Sequence, residues 1–123
     1  MKRIIIIDDD PAILDVFELV FKRAGFAVTA LEGGEQLLGG SFEEPDIFLI
    51  DKQLQGIDGL DICRFLKKRK HLGQTPVLIF SASPRVEQRA KEAGADGFLE
   101  KPIKIKYLLE NIQKHINPLE HQK

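Results

Sequence analysis

Five short apolar runs alternate along the chain with amphipathic stretches of helical period, and this alternation is the strongest constraint on the fold. The runs are Ile4–Ile7, Ala27–Leu31, Ile47–Ile50, Val77–Phe80 and Gly97–Leu99. The first, third and fourth are apolar without interruption, which is typical of parallel strands covered on both faces. The fifth is predicted to be a strand mainly because of its place in the alternation.

Five further stretches have the features of amphipathic helices. The first predicted helix begins at Pro11, with Asp10 as its N-cap, and Gly25 is placed to end it. The others lie around Glu35–Leu38, from about Gly59 to Lys70, after Ser83 as the cap before Pro84, and from Ile105 to Ile116. Five tight βα units predict an α/β fold with a doubly wound parallel sheet.

Length and composition favour one domain. The 123 residues, 43% hydrophobic and 30% charged, can bury a core of their own, so we expect a single domain over residues 1–123, a frayed tail at 117–123 and no output domain. The apolar runs are too short for a membrane span, which needs about 20 apolar residues. A single cysteine excludes an internal disulfide and favours a reducing, cytoplasmic location. The net charge of −1 gives no reason to expect direct nucleic-acid binding.

Polar or charged residues follow four of the five predicted strands: Asp8, Asp9 and Asp10, then Asp51, Ser81 and Lys101. Carboxyl ends of parallel strands meet at one edge of an open sheet, where ligands bind. Adjacent carboxylates are costly to keep ionised without a cation, and their oxygens suit Mg²⁺. Three carboxylates balanced by Mg²⁺ and one ammonium could accept a phosphoryl group. Asp10 is explained by capping alone.

Together these segments resemble the receiver domain of two-component response regulators, over essentially the whole chain. The resemblance rests on Ile4–Pro11, on Asp51 with Gly56–Gly59, on Ser81-Ala82 and on Gly94–Pro102. It implies a flavodoxin-like (βα)5 fold with a five-stranded parallel sheet in the order 2-1-3-4-5. It also implies a phosphorylation-dependent switch, rather than a turnover enzyme, that receives its phosphoryl group from a histidine kinase or a phosphotransfer protein.

The resemblance assigns the phosphorylation chemistry to four residues. Asp51 is the implied phosphoacceptor, whose carboxylate attacks the phosphorus of a phosphohistidine to form an acyl phosphate. Asp8, Asp9 and Asp51, with the backbone carbonyl of Gln53, are the implied Mg²⁺ ligands.

The resemblance also implies how the phosphoryl group is recognised and how phosphorylation is passed on as a signal. Lys101 would pair with the phosphoryl oxygens, Ser81 would donate a hydrogen bond to one of them, and Phe98 would turn inward as Ser81 moves. The Lys101–Pro102 bond is a candidate cis peptide that would direct the lysine. Output would pass through the face of the fourth helix, fifth strand and fifth helix to a downstream protein or a second copy of the chain.

The loop after Asp51 departs from the family pattern. Lys52 to Gln55 replace a stretch where the family commonly carries Met-Pro, and losing the proline predicts a looser loop with no chemical group lost. Gln53 and Ser83, two residues beyond the acceptor and the hydroxyl, resemble positions that tune acyl-phosphate lifetime. Alternation along the strand predicts that Lys52 points away from Asp51.

Two other interpretations remain open at this point. Asp8-x-Asp10 after an apolar strand also matches the opening of haloacid-dehalogenase-like phosphatases, in which Asp8 is the nucleophile and Asp10 the general acid. The chain is small for that fold, and no acidic pair follows Lys101 to bind a metal. The other alternative is a pseudo-receiver that binds partners without phosphorylation, which the complete set of site residues argues against.

Overall fold

Five strands alternate with five helices in the computed structural model, which describes residues 1–116. The elements are β1 (Arg3–Ile7), α1 (Pro11–Arg23), β2 (Ala27–Leu31), α2 (Glu35–Leu38), β3 (Ile47–Asp51), α3 (Gly59–Lys68), β4 (Val77–Ser81), α4 (Val86–Glu92), β5 (Gly97–Glu100) and α5 (Ile105–Ile116). All strands are parallel, in the order β2-β1-β3-β4-β5. The predicted flavodoxin-like fold and strand order are confirmed. The tail predicted at 117–123 lies outside the described residues.

Side chains of the inner strands alternate between two cores. In β1, Ile4 and Ile6 join a core with α1 and α5, whereas Ile5 and Ile7 join a core with α2, α3 and α4. Because successive strand residues point to opposite faces, a strand covered on both sides must be apolar at every position. The uninterrupted apolar runs follow from this. In the part of the chain that the structure describes, no helix has both the length and the apolar character needed to cross a bilayer.

The beginning of α1 follows the predicted pattern, whereas the beginning of α4 does not. Asp10 Oδ1 accepts a hydrogen bond from Ala12 N at 3.0 Å and Pro11 is the first helical residue. The prediction that Ser83 caps the fourth helix is wrong, because α4 begins at Val86 without a side-chain cap. Instead, the backbone carbonyl of Ser83 accepts from Val86 N at 3.2 Å, and residues 83–85 form a turn before the helix.

A lysine joins three segments at the end of the sheet where β4 and β5 begin. Lys67 Nζ lies 2.6 Å from Asp96 Oδ2 and donates to the carbonyl oxygens of Thr75 at 2.8 Å and Gly73 at 3.3 Å. Asp96 Oδ2 also accepts from Val77 N at 2.8 Å. This network ties the last turn of α3 to Val77, the first residue of β4, and to Asp96, the residue before β5.

Candidate functional site

Three carboxylates meet where β1 and β3 end. Asp8 follows β1 and Asp51 is the last residue of β3, and these strands are neighbours in the sheet. One carboxylate oxygen from each of Asp8, Asp9 and Asp51 lies within 4.8 Å of the others. Asp8 is 1% exposed and Asp51 4% exposed. Buried carboxylates so close together need compensating positive charge, and their oxygens are the ligands that a hard divalent cation prefers.

Each buried carboxylate has one backbone donor and shares one lysine. Asp8 Oδ1 accepts from Asp10 N at 2.9 Å, and Asp51 Oδ1 accepts from Gln53 N at 3.2 Å. Lys101 Nζ lies 3.4 Å from both Asp8 Oδ2 and Asp51 Oδ2. The lysine supplies one positive charge for three negative ones, so the charge compensation within the protein is incomplete.

The pKa of Asp51 reflects its burial more than the charges around it. Burial raises the pKa of Asp51 above its ordinary value, and the charge of Asp8 adds to the rise. The charge of Lys101 and the hydrogen bond from Gln53 N lower the pKa, but they do not outweigh burial. A cation bound beside Asp51 would therefore favour the ionised carboxylate.

Lys101 enters the site from the far side of β4. It follows β5, and its bond to Pro102 is cis. Its ammonium lies 4.5 Å from the centre of the Phe80 ring, a contact that the sequence analysis missed. Phe80 could have been singled out only with the strand order in hand, because a phenylalanine in an apolar run is ordinary core.

The loop between Asp51 and α3 is closed by an ion pair that was also missed. Lys52 Nζ lies 2.9 Å from Asp58 Oδ2, and the carbonyl of Lys52 accepts from Gly59 N at 3.0 Å. Burial alone would raise the pKa of Asp58, but hydrogen bonds from Lys52 and Leu60 N, with the charges of Lys52 and Arg89, lower it overall. The two ends of the loop are thus held together without the proline.

Comparison with known proteins identifies the family. The family model for the response regulator receiver domain matches residues 4–113. The chain belongs to the response regulator receiver family. Receiver domains are signalling switches of two-component systems, and the fold described above is theirs. The haloacid-dehalogenase-like alternative is not favoured, since exposed Asp10 caps α1.

Individual relatives agree with this assignment. The receiver is 32% identical to the DNA-binding response regulator MtrA of Mycolicibacterium smegmatis over 117 residues, 94% of this chain and 50% of MtrA. It is 31% identical over 116 residues to the DNA-binding dual master transcriptional regulator RpaA of Synechocystis, 92% of this chain and 48% of RpaA. The chain thus spans about half the length of these relatives. The CheY-like receiver domain protein of Methanospirillum hungatei superposes with a TM-score of 0.87 at 28% identity, covering 100% of this chain and 99% of that one.

Ser81 ends β4 and Phe98 lies in β5, the two strands beyond the Asp51 strand of this receiver. Ser81 is 1% exposed and its Oγ accepts from Ser83 N at 3.1 Å, so the hydroxyl is engaged with its own loop. Phe98 is half-buried, lies beside Ile79 in the sheet, and packs against the core formed with α3 and α4. The structure thus brings Asp8, Asp9, Asp51 and Lys101 together, and places Ser81 and Phe98 on the adjacent strands.

The two residues matched to lifetime-tuning positions lie at the rim of the site. Gln53 is exposed and touches Asp51 through its backbone N–H. Ser83 is half-buried and touches Ser81 in the same way. Both residues are uncharged, so neither adds to the charge imbalance of the cluster.

Proposed function

We propose that this receiver domain accepts a phosphoryl group on Asp51, with Mg²⁺ bound, and alters a partner-binding surface in response. The observation that carries the proposal is the position of Lys101 Nζ, 3.4 Å from both Asp51 Oδ2 and Asp8 Oδ2. From there the ammonium can pair with oxygens of a phosphoryl group attached to Asp51 without leaving the site.

The donor set fits Mg²⁺. Asp8, Asp9 and Asp51 would provide carboxylate oxygens, which lie within 4.8 Å of one another, and Gln53 would add its backbone carbonyl. Three carboxylates against Lys101 leave a charge of −2, which one divalent cation neutralises. When bound, Mg²⁺ supplies positive charge against the phosphoryl oxygens.

The transfer is a displacement at phosphorus. An oxygen of the ionised Asp51 carboxylate attacks, the P–N bond of a phosphohistidine breaks, and the imidazole nitrogen keeps the electron pair. Lys101 pairs with the transferred oxygens, and positive charge placed in advance stabilises such a transition state without reorganisation. The Ser81 hydroxyl donates a hydrogen bond to one phosphoryl oxygen. This hydrogen bond draws Ser81 Oγ away from Ser83 N. Gln53 and Ser83, at the rim, tune the lifetime of the acyl phosphate.

The proposed chemistry defines the phosphoryl donor, and the single cysteine favours a location for the protein. A histidine kinase or a phosphotransfer protein provides the phosphohistidine, and the domain itself is a switch with at most slow loss of its own phosphoryl group. We place it in the cytoplasm, a reducing compartment, which suits its single cysteine. Cys63 is free and buried, and burial raises the pKa of its thiol to about 11.

Output is proposed to pass through the face formed by α4, β5 and α5. Phe98 lines a groove there with Glu87 and Tyr107, and Tyr107 is 56% exposed. α4 has seven residues and buries only Val86 and Ala90, so little apolar area holds it in place. Movement of Ser81 toward Asp51 would make room for Phe98 to turn inward and would shift α4.

The proposed recipient of the signal is a downstream protein or a second copy of the chain. MtrA and RpaA are DNA-binding by name, but this chain spans only half of each. Because the net charge of the chain is −1, we assign no direct nucleic-acid contact to this domain.

Acetyl phosphate with Mg²⁺ tests the proposal by intact mass. The unmodified protein should gain one phosphoryl group, Asp51→Asn none, and Asp15→Asn, which alters an exposed carboxylate of α1, the same as the unmodified protein. A phosphatase turnover lost in Asp8→Asn but kept in Asp51→Asn would support the haloacid-dehalogenase-like alternative. No adduct with any donor would support a pseudo-receiver.

A further inference from the structure

The Lys101 ammonium rests on the ring of Phe80, a buried residue to which nothing above assigns a role. Nζ lies 4.5 Å from the ring centre, and Phe80 is 2% exposed. A cation within about 6 Å of an aromatic face is attracted to it, more strongly where water is excluded. We infer that Phe80 is a positioning residue, which holds the ammonium of Lys101 between Asp8 and Asp51. This inference rests on the proposed function of Asp51.

The strand order explains why Phe80 lies under the lysine. Lys101 follows β5, Asp51 ends β3, and β4 lies between these strands. Two strand spacings amount to about 10 Å, so the lysine side chain must cross β4 to reach Asp51. Phe80 is the β4 residue in register with Asp51. The lysine therefore approaches the carboxylates over the residue that offers an aromatic face.

The distances to the two carboxylates show a shared contact. Nζ is 3.4 Å from Asp8 Oδ2 and 3.4 Å from Asp51 Oδ2, whereas close ammonium–carboxylate hydrogen bonds measure about 2.7–2.9 Å. Lys101 thus forms a close ion pair with neither acid, and the ring is its third partner. An Asp51 oxygen outside a close ion pair keeps its lone pairs available for attack on phosphorus.

The Phe80 ring is itself held in place. Phe17 of α1 packs against it with ring centres 5.8 Å apart and planes inclined at 59°. Phe80 also belongs to the core formed with α1 and α5, together with Leu99 and Leu108. Methionine would fill a similar volume in this core but has no aromatic face. Phe80→Met therefore separates the attraction to the cation from simple packing.

The matched control is Phe48→Met. Phe48 is also buried, but it lies in β3 in the opposite core, so this variant loses a ring of the same kind away from Lys101. We expect Phe80→Met to be phosphorylated by acetyl phosphate about threefold to tenfold more slowly, which is the effect of losing a partly desolvated cation–π contact. Phe48→Met should keep the rate of the unmodified protein, measured by intact mass against time.

A spectroscopic measurement reports the contact independently of phosphorylation. The methylene protons next to the Lys101 ammonium, assigned with Lys101→Arg, should resonate upfield of those of the other lysines, because they lie over the ring face. They should return to ordinary positions in Phe80→Met and stay upfield in Phe48→Met. Ordinary positions in the unmodified protein would overturn the inference, whether or not Phe80→Met folds.

The two proposals fail in distinguishable ways. If the unmodified protein is phosphorylated and folded Phe80→Met reacts at the same rate, the positioning role of Phe80 is wrong while the role of Asp51 stands. If the unmodified protein takes up no phosphoryl group, the proposed function is wrong, and the positioning of Lys101 for that reaction is wrong with it.

Discussion

A Cβ atom on Gly59 would stand 2.2 Å from the carbonyl oxygen of Asp51 and 2.9 Å from the Cα of Lys52. Both neighbours are backbone atoms, which cannot turn aside as a flexible side chain can. The first residue of α3 is therefore pressed against the end of the strand that carries the proposed phosphoacceptor. Only glycine fits there without moving the helix or the strand.

Gly59→Ala should destabilise the protein by about 1–3 kcal/mol, as overpacking in a core usually does. The measurement is urea unfolding followed by circular dichroism. Gly73→Ala is the matched control, because its Cβ would meet its nearest neighbour at an ordinary 3.5 Å; it should change stability by no more than about 0.5 kcal/mol. Equal stability of the two variants would contradict the close approach.

Asp51→Asn should be more stable than the unmodified protein at pH 7 without Mg²⁺. Burial, the largest cause, raises the pKa of Asp51 above the ordinary 3.8. The folded state therefore binds the carboxyl proton of Asp51 more tightly than the unfolded state does. The stability gained from that proton is fully present below pH 3.8 and is lost as the pH rises through the raised pKa. Melting temperatures against pH should show the advantage of Asp51→Asn shrinking in acid. Asp15→Asn, at an exposed carboxylate of α1, is the comparison variant.

Mg²⁺ should stabilise the unmodified protein, because a ligand that binds only the folded state shifts the unfolding equilibrium. At a free concentration one hundred times the Kd the gain is about 2.7 kcal/mol, visible as a rise in melting temperature. Asp9→Asn should lose most of that rise. Asp10→Asn should keep it, because exposed Asp10 caps α1 and asparagine caps equally well. A rise of the same size in Asp9→Asn would argue against the proposed ligand set.

The Lys52–Asp58 ion pair should make a small, pH-dependent contribution to stability. Burial raises the pKa of Asp58, but Lys52, Leu60 N and Arg89 together lower it by more than burial raises it. The pKa of Asp58 is therefore below its ordinary 3.8. The stabilisation is therefore present above pH 3.8 and lost as the pH falls through the lowered pKa. Lys52→Met should cost less than about 1 kcal/mol at pH 7 and approach the unmodified protein in strong acid. Lys106→Met, at an exposed lysine of α5, provides the comparison in urea unfolding.

Phosphorylation should change the amide chemical shifts of α4 and β5, including Val86 and Phe98. α4 is short and buries few side chains, so it is the element that yields when Ser81 and Phe98 move. Asp51→Asn treated with the same donor gives the baseline. Unchanged α4 and β5 signals in protein shown by mass to be phosphorylated would rule out the proposed output route.

The elements that the sequence predicted best are the strands whose residues are all apolar, because a strand covered on both faces needs an apolar residue at every position. The runs Ile4–Ile7 and Ile47–Ile50 are typical of strands buried on both faces, and both are such strands. The order of the strands came from the family resemblance, because periodicity does not encode which strands are neighbours. Ser83 shows the opposite case. Its residue type favours a helix cap, but its carbonyl closes a turn instead, and the helix begins three residues later.

That Asp8, Asp51 and Lys101 lie at one edge of the sheet was predictable, but their contacts were not. Carboxyl ends of parallel strands coincide, so Asp8, Asp51 and Lys101 could be assigned to one edge from their positions alone. The path of Lys101 across β4, and its contact with Phe80, depend on strand order and register. The Lys52–Asp58 pair depends on how the intervening loop closes, which the residue types alone do not determine.

The two ends of the sheet differ in how closely a lysine is held, and Lys67 lies at the end far from Asp51. Its ammonium lies 2.6 Å from Asp96 Oδ2 and 2.8 and 3.3 Å from two carbonyl oxygens of the loop before β4, whereas Lys101 Nζ, beside Asp51, lies 3.4 Å from each of two acids. The shortest lysine–carboxylate distance is thus 2.6 Å where β4 and β5 begin and 3.4 Å where they end, so we expect the beginnings of the two strands to be held more tightly. We therefore expect a movement that starts at Asp51 to reach α4 and the carboxyl end of β5 while the beginnings of β4 and β5 stay in place.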